Sequence, residues 1–341
     1  MTLRARAPGK VMLFGEYAVL EGATARVVAV ETWARASAAP TTGASTYRIH
    51  DEAVDEPGPF VRAALEAAGP VPSAAWTFES RSFSTPPGAG PSLKLGLGSS
   101  AAISVAAVGV ARALSGVSAR PRDVLQPALV AHRRAQGERG SGADIAASTL
   151  GGLVECAFFE QAAWAPPGAI PVGQGALSVA QLPVPSILNH LTLVFAGASA
   201  STPALVRAVM EQRHARPIVW DRALVCIADA SDVAAVALEA DDRGALVEAV
   251  RAGDLAMTWL SRELGGGTTL LGPLHAALQG LVGPRCALKT TGAGGGDLYW
   301  LYGETEADER EAAERVRAAG HHVLTVHVEH EGFVVEAPGA T

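Results

Sequence analysis

The chain has 341 residues, 49% apolar, 18% charged and 5% aromatic, with a formal net charge of −7. Such a length and apolar share allow a large core in one or two domains and exclude a disordered chain. The acidic balance excludes a global pull toward nucleic acid or an anionic membrane, so any anionic ligand has to be attracted locally. Cys156, Cys226 and Cys286 are far apart, with no CxxC pair. They indicate neither a zinc site nor a disulfide framework, and the expected compartment is a reducing cytoplasm. No signal-peptide pattern is read in "MTLRARAPGKVML", and the longest apolar run, 101–111, is too short for a bilayer.

In chain order, residues 10–14 and 25–30 predict short strands flanking "GEYAVLEG". Residues 42–92 read as irregular, broken by "DEPGP" and "TPPGAGP", with a helix over 59–68. A buried helix is predicted over 100–114 and an amphipathic one over 121–136, with Pro127 as a kink. "GGLVECAFF" reads as a strand, and 160–185 as a connection at a domain edge. "LTLVFAG" reads as a buried strand, 202–214 as a helix, and 221–264 as two helices broken near Asp241–Gly244. A helix over 273–282 precedes the strand–loop–strand "CALKTTGAGGGDLYWLYG". A charged helix over 305–319 and the alternating strand "HVLTVHVEHEGFVV" complete the chain. His321, His322, His327 and His330 fall on the exposed face of that last strand, a better reading than a metal site. Paired strands with helices between them predict an α+β protein in two halves, 1–185 and 186–341.

Four stretches carry chemistry. In "APGKVMLFGEYAVLEG", a Pro8–Gly9 turn delivers Lys10, and Glu16 follows six residues on; a lysine beside a carboxylate is a fixed cation. In "KLGLGSSAA", Ser99 or Ser100 can cap a helix beginning near Ala101. The free N–H groups of such a turn and the helix dipole make an anion site. Gly96 and Gly98 let the backbone approach a phosphate, a serine hydroxyl can reach Mg²⁺, and Lys94 adds a cation. In "KTTGAGGGDLYW", four glycines in five positions suggest that something comes close to the backbone. In "GERGSGADIAAS", Asp144 is either an N-cap or a catalytic carboxylate, with Arg139 and Ser141 nearby.

Taken together, "APGKVMLFGEYAVLEG", "GLGSSAA" and "KTTGAGGGD" resemble the three motifs of the GHMP kinase superfamily over residues 7–300. The resemblance implies a ribosomal-protein-S5-domain-2-like N-terminal domain, a ferredoxin-like C-terminal domain and an ATP site between them. Gly96, Leu97, Gly98, Ser99, Ser100 and Ala101 then hold ATP, with Ser99 and Ser100 toward Mg²⁺. Lys10 and Asp144 are the implied catalytic residues. Lys10, Glu16, Tyr17, Lys94, Arg139, Ser141, Gly294, Gly295 and Gly296 are the implied substrate contacts, and Ser201 and Thr202 are further candidates for substrate or nucleotide. "GEYAVLEG", "AHRRAQGERGSGADIAAS" and "AGASASTPALV" resemble the phosphomevalonate kinase branch. Arg26, Tyr299 and Trp300 depart from the family pattern. The expected partner is phosphomevalonate or mevalonate, without nucleic acid or membrane, and a homodimer is left open. The alternatives are mevalonate kinase, another small-molecule GHMP kinase, and a non-catalytic protein of the same fold. A dinucleotide-binding oxidoreductase fits worst, because no βαβ unit precedes "GLGSSA".

Overall fold

The computed structural model describes residues 1–85, 93–195, 202–264, 270–295 and 298–336, less the side chains of 202–204, 212 and 214. Two compact units emerge. One holds Met1–Val11, Val27–Leu182 and the segment from Glu329; the other holds Met12–Arg26 and Pro183–Val328. The chain is therefore not cut once at 185, as the sequence suggests. It passes to the second unit within β1 (Leu3–Phe14) and returns within β2 (Ala25–Pro40).

The first unit is a sheet with helices. Besides β1 and β2 it contains β3 (Thr46–Ile49), β4 (Glu52–Val54), β5 (Ala74–Glu79), β6 (Leu153–Phe159), β7 (Ile170–Val172) and β8 (Gly175–Leu182). The strand order is β4-β3-β5-β2-β6-β8-β7, with β1 paired to β2. Three of these strands lie in 42–92, read from sequence as irregular; "AAWTFE" alternates inward and outward but is too short to stand out among the breakers. The predicted connection 160–185 likewise contains the β7–β8 hairpin. "GALSVAQL" is poor in β-branched residues, yet it pairs with β6 from Leu153↔Leu182 to Phe159↔Ala176. Pairing overrides local preference there.

Four helices accompany the sheet: α1 (Pro59–Ala67), α2 (Ser99–Leu114), α3 (Pro121–Ala135) and α4 (Ala143–Leu150). α3 runs on through Pro127. α2 is buried continuously from Ser104 to Ala111, and its Ala and Val side chains suit a helix packed on all sides. At Gly109 an added Cβ would sit 2.0 Å from the Phe333 ring, so glycine makes space for that phenylalanine.

In the second unit, β9 (His190–Phe195) leads into α5 (Thr202–Ala215), α6 (Pro217–Glu239), α7 (Arg243–Leu264) and α8 (His275–Val282). Then come β10 (Cys286–Thr290), β11 (Leu298–Gly303), α9 (Glu306–Ala318) and β12 (His322–His327). The sheet order β10-β11-β9-β12 is antiparallel throughout. Strand connectivity and order are those of a ferredoxin-like βαββαβ unit, with extra helices inserted after β9. The expected break near Asp241 is real: Asp241 has φ 53, and Asp242 Oδ1 accepts from Ala245 N at 3.0 Å to cap α7.

"HVLTVHVEHEGFVV" is not one strand. β12 ends at His327, and β13 (Val334–Glu336) pairs with β1 in the first unit, Arg4↔Glu336 to Arg6↔Val334. Between them, Glu329 O accepts from Gly152 N (2.7 Å) and Phe333 N donates to Thr149 O (3.0 Å). These bonds hold the segment against the end of α4.

Gly109→Ala should lower stability by about 1–3 kcal/mol, because the new methyl overpacks the Phe333 ring. On an exposed helix the same change would stabilise by about 1 kcal/mol. Urea unfolding of the full chain measures the sign.

Candidate active site

The opening of α2 is built by glycine. Gly98 is the N-cap in the left-handed region (φ 85), and no side chain caps the helix. Ser99 and Ser100 are thus the first helical residues, not caps, and the helix starts before Ala101. Its first-turn N–H groups lack partners within the helix, and the dipole's positive end points the same way. Lys10 N donates to Leu97 O at 2.8 Å. The Lys10 side chain then crosses the turn: a Cβ at Gly98 would lie 2.8 Å from its Cε and 2.9 Å from its Cγ. Glycine is required at 98 twice over, by the positive φ and by the lysine lying on it. Leu97 is buried beneath the turn.

α3 and α4 bring two more groups to this turn. His132 of α3 is buried, with Nε2 3.2 Å from Ser100 Oγ and 3.7 Å from Asp144 Oδ2. Its ring centre is 5.1 Å from that of Phe60. Burial holds the imidazole below its usual range; Asp144 opposes this and Lys10 reinforces it. Asp144 is not an N-cap. Gly142 occupies that place, and Asp144 lies inside the first turn of α4, with Oδ1 accepting from Ile145 N at 2.9 Å. Ser141 is nearly buried, and its Oγ accepts from Ala143 N at 3.3 Å. Arg139 is exposed on a loop shaped by Arg133, which donates to the Glu138 and Gly140 carbonyls. Lys94 is exposed and bridges Ser84 through the backbone. The first unit therefore assembles Lys10, Ser100 and Asp144 as expected and adds His132. That histidine stands in "AHRRAQGERGSGAD", but the sequence offers no signal separating it from a core histidine.

Of the remaining predicted contacts, Glu16, Tyr17, Gly294 and Gly295 belong to the second unit. The cation beside Glu16 is Lys289 of β10, not the Lys10 that spacing suggested. Lys289 is fully buried and donates to Glu16 Oε1, to Leu13 O (2.8 Å) and to Thr290 O (2.8 Å), which uses all three ammonium protons. Burial pushes the Glu16 carboxyl up, against the pull of Lys289. Tyr17 is buried as well; its hydroxyl donates to Ala293 O at 2.6 Å. The glycine loop does admit a close neighbour, but that neighbour is protein. Gly295 N donates to Leu270 O at 2.8 Å, and a Cβ at Gly294 would lie 2.1 Å from the same oxygen. Gly296, Asp297 and Ser201 lie outside the described residues, as does the side chain of Thr202.

The departures from the family pattern are also structural. Arg26 donates to Ser231 O (2.6 Å) and Ser231 Oγ (2.7 Å), and Tyr299 and Trp300 are fully buried in β11.

An uncapped helix N-terminus crossed by a lysine, with a carboxylate in the same cluster, is chemically suited to phosphate groups. Residues 61–152 match the family of GHMP kinases N terminal domains. A phosphomevalonate kinase of Streptomyces sp. (strain CL190) is 29% identical, over 94% of this chain and 95% of its own length. A mevalonate kinase of Pyrococcus horikoshii is 26% identical, over 97% of each chain. The solved Streptococcus pneumoniae phosphomevalonate kinase, in complex with phosphomevalonate and AMPPNP, superposes with a TM-score of 0.78 at 20% identity, covering 96% of this chain and 100% of that one. Residues 61–152 thus carry a GHMP kinases N terminal domain, the chain has the α+β fold of the solved GHMP kinases, and these matches support a phosphotransferase.

Lys289→Met should destabilise the protein by about 3–5 kcal/mol, because the Glu16 carboxylate is left buried without its partner. Adding Glu16→Gln to that variant should recover part of the loss. Denaturant unfolding of the single and double variants measures both.

Proposed function

We propose that the chain catalyses ATP-dependent phosphorylation of (R)-5-phosphomevalonate to 5-diphosphomevalonate, in the mevalonate pathway of isoprenoid biosynthesis. The observation that carries this reading is Lys10 lying on Gly98 at the uncapped start of α2, in a chain similar to a phosphomevalonate kinase over nearly its whole length.

In this reading the turn from Gly96 to Ala101 receives the ATP phosphates on its backbone N–H groups. Lys10 neutralises charge that builds up on the transferring group. No cluster of three His, Cys, Asp or Glu side chains suited to a metal occurs among the described residues. Mg²⁺ usually keeps waters and phosphate oxygens and takes few protein ligands. Ser99 and Ser100 offer hydroxyls toward it, and a bound Mg²⁺ would supply charge neutralisation on the phosphates. Lys94 and Arg139, both exposed, are the cations proposed for the acceptor's phosphate, with Ser141, two residues on from Arg139, as a further contact. Glu16 and Tyr17 are held within the second unit by Lys289 and the Ala293 carbonyl.

The acceptor decides what Asp144 does. A phosphomonoester has a second pKa of about 6 and is mostly ionised at neutral pH. The obstacle is then repulsion between anions, and Asp144 orients the neighbouring cations. A hydroxyl acceptor must lose a proton, and Asp144 would be its base. Mevalonate is the second reading, favoured by the likeness to a mevalonate kinase.

A coupled ATP-consumption assay with phosphomevalonate and mevalonate side by side tests the assignment. Turnover is expected with phosphomevalonate, and Asp144→Asn should reduce it by about tenfold or less. Turnover on mevalonate alone, with a loss on the order of 10²–10⁴-fold in that variant, would establish the second reading instead.

A further inference from the structure

We infer that His132 is a positioning residue: its Nε2–H donates to Ser100 Oγ, so that Ser100 turns its own proton toward a phosphate oxygen of the nucleotide. The inference rests on the kinase reading above and goes beyond it by assigning the histidine a role and choosing phosphate over metal for Ser100.

The geometry selects the tautomer. Nε2 is the ring atom 3.2 Å from Ser100 Oγ, and Asp144 Oδ2 stands 3.7 Å from the same nitrogen. A bare lone pair on Nε2 would face that carboxylate and be repelled by it. A proton there is attracted by the carboxylate and can be donated to the hydroxyl, so Asp144 favours the Nε2–H form. A serine hydroxyl has one proton and two lone pairs. With one lone pair occupied by His132, the proton of Ser100 is directed elsewhere. The backbone carbonyl of Ser100 is already taken by Ser104 Oγ at 2.8 Å. Ser100 is in the first turn of α2, whose free N–H groups and the Lys10 ammonium form the anion site. A donor hydroxyl there adds one more hydrogen bond to the same anion. A residue that merely filled the space beside Phe60 would need no nitrogen facing two oxygens.

The full-length chain and its variants His132→Phe, His132→Gln and Ser100→Ala test this. ATP affinity is measured calorimetrically with Mg²⁺ and with EDTA, and kcat and KM with phosphomevalonate. Nitrogen NMR of labelled histidine reads the tautomer. The Nε2–H tautomer is expected in the wild type. His132→Phe should weaken ATP binding by about tenfold, both with and without Mg²⁺, as for a lost hydrogen bond to a charged group. It should lower kcat while leaving the acceptor's KM unchanged. His132→Gln, whose amide can donate to the same oxygen, should recover most of the loss. Ser100→Ala should match the Phe variant, and the double variant should lose no more than either. An Nδ1–H tautomer, wild-type ATP affinity in a folded Phe variant, or a loss confined to samples with Mg²⁺ would overturn the inference. The tautomer and the Mg²⁺ dependence of Ser100→Ala still decide if His132→Phe does not fold. A wild type that binds ATP but phosphorylates neither acceptor defeats the acceptor assignment alone. One that binds no ATP defeats the kinase reading and this inference together.

Discussion

The proposed phosphate site of the first unit depends on one close contact, the aliphatic chain of Lys10 lying on the bare backbone of Gly98. Gly98 ends the turn in the left-handed region, which opens α2 without a side-chain cap and leaves its N–H groups unused. The same missing Cβ lets the lysine cross the turn. Cation and helix end are therefore set together by one residue. The Lys10 backbone bond to Leu97 O fixes the strand to the turn, and α2 is buried from its first turns onward. An anion site on so rigid a support needs little reorganisation when charge arrives.

The second unit answers a different physical problem, the burial of a lysine. Lys289 survives at zero exposure because each of its protons has an acceptor. Those acceptors come from the end of β1, the turn after it, and β10. Tyr17 adds a bond from that turn to Ala293, so the segment carrying the first motif is tied to the glycine loop of the third. Motif residues in this unit thus serve to hold one another. Their close approaches are to protein groups, the Leu270 carbonyl above all.

The α2 and α3 helices and the strand–loop–strand around the glycines were legible in the sequence, because their patterns are long or strongly punctuated. β8 was not, because its residues have weak strand preference and its pairing with β6 decides the matter. The split between β12 and β13 was hidden by an alternation that runs on through the break. Spacing points Glu16 to Lys10, but its partner Lys289 stands 273 residues away, beyond any spacing argument. The glycines at 294 and 295 do mark a close approach, but nothing in the sequence identifies the Leu270 carbonyl as the neighbour. His132 had the reverse difficulty: its position was plain, and only the fold brings Ser100 and Asp144 to it.

The claim that Gly98 and Lys10 jointly make the phosphate seat is tested most directly by ATP titration of Gly98→Ala, with urea unfolding alongside. An added methyl must push Lys10 aside and strain the turn, so a folded variant should bind ATP at least about tenfold more weakly, the loss of a charge-assisted contact. Wild-type ATP affinity in a folded Gly98→Ala protein would contradict the account.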